Sequence, residues 1–130
     1  MIQTVIQIAI EAGDAILEIY KQDIVVETKS DNSPLTIADK NANEIIVAGL
    51  KKLDSSIPVI SEENKLTDYA ERSKWTSCWI VDPLDGTKEF IKKNGEFTVN
   101  IALVENGVPV LGVVHVPAQN VTYYAEKDKG

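Results

Sequence analysis

Two apolar runs, residues 97–104 and 108–116, flank Glu105-Asn106-Gly107, and this arrangement restricts the fold more than any other stretch. Asn-Gly between two such runs is a strong hairpin signal, because both residues accept the positive φ of a tight two-residue turn. The spacing predicts an antiparallel pair here, with a third strand over residues 121–125. Upstream the apolar period is helical. Val5, Ile8, Ala9, Ala12, Ile16 and Ile19 share one face of a helix predicted over residues 3–20. Ala38, Ala42, Ile45, Ile46, Gly49, Leu50 and Leu53 form the stripe of a second helix over 36–53, with Thr36 as its expected N-cap and Asp39 in its first turn. Short strands are expected over 24–28, 57–60 and 78–81. The polar stretch 29–34 reads as loop, and 64–77 as loop or short helix. Helices first and mostly antiparallel strands afterwards define an α+β class.

The 130 residues suit one domain. A net charge of −7 argues against a nucleic-acid partner, since phosphate backbones are bound by basic surfaces. It leaves room for small phosphorylated ligands, because bound divalent cations reverse the local field. The single cysteine, Cys78, permits no intrachain disulfide, fits a reducing cytoplasm and reads as a small buried apolar residue. Residues 1–20 carry Glu11, Asp14 and Glu18 and lack a basic leader, and no apolar stretch is long enough to cross a bilayer.

The chemistry concentrates in residues 79–90. An apolar strand, Ile80-Val81, runs into Asp82 and Asp85, which bracket Pro83 and are followed by Gly86 and Thr87. Pro83 fixes one backbone angle and Gly86 permits a sharp turn, so both acids are expected in a turn at a strand end. Carboxylates held this close repel, and a hard cation such as magnesium relieves the repulsion through oxygen ligands. Asp39 near a helix start, and Glu62-Glu63 just after a strand, share the same placement. If the strands neighbour each other, all three acidic spots gather at one sheet edge, beside the Thr87 hydroxyl. Such a cluster suits two-metal phosphoryl chemistry, with backbone N–H groups of Gly86, Thr87 and Lys88 available to phosphate oxygens. Plainer readings exist for each residue taken alone. Asp-Pro and Asp-Gly are common turn dipeptides, Asp39 favours a helix dipole, and Glu62-Glu63 is a solvated pair. Lys88 reads equally as a surface lysine. His115, Trp75 and Trp79 read as structural residues. An EF-hand fails by spacing, since Leu84 and Lys93 fall where oxygen ligands are required.

The segment Asp82-Pro83-Leu84-Asp85-Gly86-Thr87, with Glu62-Glu63 upstream, resembles the inositol monophosphatase superfamily of lithium-sensitive, magnesium-dependent phosphomonoesterases. Ser33-Pro34-Leu35-Thr36-Ile37-Ala38-Asp39 is similar to a further segment of that family. The extension Lys88-Glu89-Phe90, with residues 94–102 after it, is similar to the bacterial 3′(2′),5′-bisphosphate nucleotidases of the CysQ type.

The resemblance implies a role for each matching residue. Glu62, Asp82 and the main-chain carbonyl of Leu84 would ligate one Mg2+, and Asp82 with Asp85 a second. Asp39 would support the water network, around a third ion in some states. Thr87, paired with Asp39 or Glu62, would activate the attacking water. Asp85, Gly86, Thr87 and Lys88 would contact substrate, and Lys29 would approach a phosphate from a loop. The implied reaction converts adenosine 3′,5′-bisphosphate to AMP and phosphate within sulfur metabolism. An inositol-phosphate substrate, or a non-catalytic metal-binding half-module, is the alternative.

The family is about twice this long, and its second half supplies a further aspartate in a W-D-x-x-A-type segment together with the nucleoside contacts. No such segment occurs here, since both tryptophans precede Pro83 and neither is followed by Asp. Residues 1–130 are therefore expected to be the N-terminal metal-binding half of a layered α/β/α/β/α phosphatase, with little activity alone. An exposed sheet edge or apolar surface is expected where the other half packs, with homodimerisation or aggregation as a consequence. The expected location is cytoplasmic, with peripheral association at the inner face of the membrane.

Overall fold

The computed structural model describes residues 2–20, 34–61, 76–86 and 96–127. The expected strand at 24–28 and nearly all of the polar stretches 29–34 and 64–77 lie outside these residues. The order of elements is α1 (Ile2–Tyr20), α2 (Pro34–Leu53), β1 (Val59–Ser61), β2 (Ser77–Asp85), β3 (Thr98–Glu105), β4 (Val108–Val116) and β5 (Val121–Glu126). The strands form one sheet in the order β1-β2-β3-β4-β5, with β1 parallel to β2 and the other neighbours antiparallel. The α+β expectation is borne out.

Helical periodicity does the first part of the work. Val5, Ile8, Ala9, Ala12 and Ile16 of α1, and Ala38, Ala42, Ile46 and Leu50 of α2, are buried. Both helices cover one face of the sheet, against Trp79, Val81, Val99, Ile101, Leu103, Leu111 and Val113. Small residues set the spacing. A Cβ on Gly49 would stand 2.9 Å from Ile8 Cδ1, so α1 and α2 approach closely there. Tyr20 and Phe97 close the far end of the core, with ring centroids 4.8 Å apart.

Helix α2 begins at Pro34, earlier than periodicity alone predicts. Proline is at home in a first turn, where its missing N–H would have no helical partner. Thr36 is consequently inside the first turn and not the N-cap, and Asp39 falls in the second turn and not the first. The β3–β4 hairpin turns through Asn106 at φ 51° and Gly107 at φ 77°, the double positive pair expected of Asn-Gly. A short 3-10 turn, Pro117–Gln119, followed by Asn120 at φ 53°, leads into β5 and was not anticipated from composition.

The second face of the sheet carries no helix among the described residues. In register across it run Ile80, Ala102, Gly112 and Ala125, and beside them Asp82, Asn100, Val114 and Tyr123. Ile80 is 48% exposed, Val114 38% and Tyr123 63%. The small side chains in the first row leave a shallow depression of about 300 Å³, and a Cβ on Gly112 would meet nothing within 4 Å.

Candidate active site

Helix α2 ends in a tight reversal into β1. Asp54 accepts the backbone N–H of Ser56 at 3.0 Å and its hydroxyl at 2.6 Å, which reverses the chain after Leu53. These hydrogen bonds hold the Asp54 carboxyl below its usual range. Strand β1 therefore runs back along α2, toward the helix's amino-terminal half. Buried Ser61 Oγ donates to Asn43 Oδ1 at 2.7 Å and ties the end of β1 to that part of the helix. Asp39 lies one helical turn before Asn43 on the same buried face, itself 5% exposed. Ser61 pairs with Val81 in the parallel ladder, so Glu62 and Asp82 each follow a paired residue in sequence. Glu62 lies outside the described residues.

Strand β2 does not stop at Val81, as the composition suggests, but continues through Asp85. The Asp-Pro-Leu-Asp segment is a bulged strand and not a turn. Asp82 pairs with Asn100 and Asp85 with Thr98, so three steps on β2 oppose two on β3. Proline is tolerated at such an irregularity because no ladder N–H is required of it. The extra residue has a geometric consequence. Side chains alternate along a strand, and residues three apart normally point to opposite faces. The bulge cancels that alternation, so Asp82 and Asp85 both lie on the open face, with Asn100 and Thr98 opposite them. Pro83 and Leu84 turn inward and are buried.

A polar chain links the two strands. Thr98 Oγ1 donates to Asn100 Oδ1 at 2.9 Å, and Asn100 Nδ2 donates to Asp85 Oδ2 at 3.0 Å. Gly86 follows at φ 91°, a left-handed conformation that favours glycine. Asp85 is exposed and Asp82 half-buried. Asp82 and Asp85 are oxygen donors, as a hard divalent cation prefers, and neither His115 nor Cys78 pairs with this bulge. The residues present thus fit magnesium by donor chemistry.

Asp39, Asp82, Leu84, Asp85 and Gly86 are described; Glu62, Thr87, Lys88 and Lys29 lie outside. Among the described residues, no three His, Cys, Asp or Glu side chains converge closely enough to hold a metal ion. The acid pair on the bulge is the part of the candidate site that the described residues contain, with buried Asp39 on α2. Sequence reasoning missed Thr98 and Asn100 as neighbours of the acids. The available signal was polarity at alternate positions, 98 and 100, between the inward Phe97, Val99 and Ile101.

The other reactive groups sit apart. Half-buried Cys78 has its thiol pushed up by desolvation, which disfavours the thiolate. His115 is 2% exposed and its Nδ1 lies 2.8 Å from Thr122 Oγ1, in keeping with a structural role. No described helix is long and apolar enough to cross a membrane.

Comparison with known proteins extends these observations. Residues 1–130 match the model of the inositol monophosphatase family. The chain is 51% identical over 131 residues to the 3′(2′),5′-bisphosphate nucleotidase CysQ of Escherichia coli O6:H1, covering 99% of this chain and 53% of that protein. The crystal structure of CysQ from Bacteroides thetaiotaomicron, a bacterial member of the inositol monophosphatase family, superposes with a TM-score of 0.89 at 55% identity, over 98% of this chain and 46% of that one. The extragenic suppressor protein suhB from Bartonella henselae superposes with a TM-score of 0.81 at 29% identity, over 98% and 48%. The chain spans about half the length of these relatives.

Proposed function

The chain belongs to the inositol monophosphatase family, and on that premise we propose that it forms the metal-binding half of a magnesium-dependent 3′(2′),5′-bisphosphate nucleotidase. The reaction is hydrolysis of adenosine 3′,5′-bisphosphate to AMP and phosphate, in the cytoplasm. One observation carries the reading. The β2 bulge puts Asp82 and Asp85 on one strand face, within the residues 1–130 that the family model matches.

In this reading Asp82, Asp85, the Leu84 carbonyl and Glu62 hold the ions, two or three in number. Bound magnesium would neutralise phosphate charge and make a water acidic enough to act as nucleophile. The protein's own groups supply orientation and proton handling. Asp39, buried in α2, keeps its carboxylate out of bulk water and near the Asn43–Ser61 clasp, where with Thr87 it accepts the proton of the attacking water. Glu62 serves the same pair from the end of β1. Backbone N–H groups after Asp85 receive the phosphate oxygens, aided by Lys88, and Gly86 lets the chain turn there without a side chain in the way.

The open sheet face carries the second part of the proposal. Ile80, Ala102, Gly112 and Val114 form an apolar, small-residue surface continuous with Asp82 and Asn100. We infer that the remaining half of a relative-length enzyme packs on this face and brings the nucleoside contacts to the acid pair. Left bare, the same face favours a homodimer.

The test is phosphate release from adenosine 3′,5′-bisphosphate and from inositol 1-phosphate, with magnesium, with and without lithium. The 130-residue chain is compared with a chimera completed by the second half of the Escherichia coli relative. Lithium-sensitive turnover of the nucleotide by the chimera, with little from the shorter chain, is the expected result. Preference for inositol 1-phosphate overturns the substrate assignment. No turnover by either protein overturns the enzyme assignment, and ordinary turnover by the shorter chain overturns the division into halves.

A further inference from the structure

Asn100 stands between two partners of opposite hydrogen-bonding sense. Its Oδ1 accepts the Thr98 hydroxyl at 2.9 Å while its Nδ2 donates to Asp85 Oδ2 at 3.0 Å. Turning the amide over would press Oδ1 against the carboxylate, two acceptors face to face. The carboxylate, which only accepts, therefore selects the amide orientation, and the Thr98 hydroxyl, able to donate or accept, turns to fit it. The backbone enforces the arrangement, since Asn100 and Thr98 are the register partners of Asp82 and Asp85 and flank the bulge from β3. Thr98 adds stiffness, because a β-branched side chain has few χ1 choices on a strand.

The contact engages Oδ2 of Asp85 and leaves Oδ1 as the oxygen for another partner. We propose that Asn100, braced by Thr98, is a positioning residue that fixes the Asp85 carboxylate for the metal and phosphate. The proposal rests on the magnesium-dependent phosphatase reading. Neither Asn100 nor Thr98 carries charge, so their contribution is orientation of a ligand and not added field. Hydrogen-bond partners behind metal ligands are commonly worth about 10- to 100-fold in metal affinity, and the low end suits an exposed carboxylate.

Calorimetric titration of the 130-residue chain with magnesium chloride tests it. Asn100→Ala is expected to weaken magnesium binding about tenfold. Thr98→Val is expected to give part of that loss, and Thr98→Ser, which keeps the hydroxyl, to restore the original affinity. In an Asp85→Asn background Asn100→Ala should have no further effect on binding. A merely structural role would lower unfolding midpoints and leave magnesium affinity intact, which overturns the proposal. A second, metal-free readout separates this proposal from the functional reading. Side-chain coupling constants of Asp85 should report one χ1 rotamer in the parent chain and averaging in Asn100→Ala. An unchanged single rotamer in the variant overturns the positioning role. Rotamer averaging together with no magnesium binding by the parent chain upholds the orientation and removes the metal reading instead.

Discussion

Asn100 Nδ2 and Asp85 Oδ2 meet at 3.0 Å across the β2–β3 ladder, fifteen residues apart in sequence, because β2 holds one residue more than β3 between their register partners. The same extra residue sets Asp85 beside Asp82 on the open face. Two carboxylates on one face repel, and a cation between them would turn that repulsion into binding. Magnesium should therefore stabilise the folded chain, by about 2.7 kcal/mol at a hundredfold excess over its dissociation constant. Asp85→Asn keeps an oxygen acceptor and removes the charge. At this exposed position it should change metal-free stability by no more than about 0.5 kcal/mol, yet abolish most of the magnesium gain. Urea unfolding of both chains with and without magnesium measures each quantity. An equal magnesium gain in the variant would exclude Asp85 from the ion's environment.

Ser61 and Asn43 test the coupling between helix and site. Their 2.7 Å hydrogen bond is buried and joins the end of β1 to α2. Ser61→Ala deletes the hydroxyl that donates to Asn43 Oδ1, at a cost of about 1–3 kcal/mol. The same substitution should weaken magnesium binding, since Glu62 follows Ser61 directly. Denaturation and metal titration of Ser61→Ala and Ser61→Thr check both effects. Loss of stability with unaltered affinity would make the clasp purely architectural.

Gly13 sits where α1 packs closely on His115 of β4 and on Pro117. A Cβ there would fall 2.8 Å from His115 Cδ2 and 3.0 Å from Pro117 Cγ. Alanine is worth about 1 kcal/mol over glycine in a helix interior, but overpacking commonly costs about 1–3 kcal/mol. His115 and Pro117 are buried and cannot swing aside. Gly13→Ala should therefore be net destabilising, by up to about 2 kcal/mol. Equilibrium denaturation decides the sign, and stabilisation would mean that α1 can shift away from the sheet.

What the sequence revealed, and what it concealed, divides by the range of the interactions. The helices, the hairpin and the α+β class follow from apolar period and from Asn106-Gly107, which are local signals. The acid motif is legible as chemistry, yet its backbone conformation is not. Asp82-Pro83 and Asp85-Gly86 look like turns by composition, and only pairing with β3 keeps the segment in the sheet. The sequence does not single out Thr98 and Asn100 within their strand, because nothing local states which strand lies opposite. Pro34 closes a polar stretch that composition marks as loop, although the same residue is a natural first residue of a helix. The roles of Glu62, Thr87 and Lys88 rest on resemblance, since these residues lie outside the described structure.

His115 gives a prediction independent of the proposed chemistry. It pairs with Val99 on one side and Thr122 on the other, and its ring packs against Gly13. Burial lowers the imidazole from its ordinary 6.5, while the charge of Asp14 and a backbone hydrogen bond with Val121 pull the other way without cancelling the shift. The folded chain thus binds this proton less readily than the unfolded chain. At a pH below the unfolded value the unfolded state holds more protons, so stability rises with pH. The contribution of neutral His115 is complete above 6.5 and declines as pH falls from there toward the lower folded value. Urea midpoints of the parent chain and of His115→Gln, measured from about pH 5 to pH 8, isolate the effect from the carboxylates common to both. The stability difference between parent and variant should widen in favour of the parent as pH rises through that window. A difference that stays flat would mean that folding does not perturb this histidine.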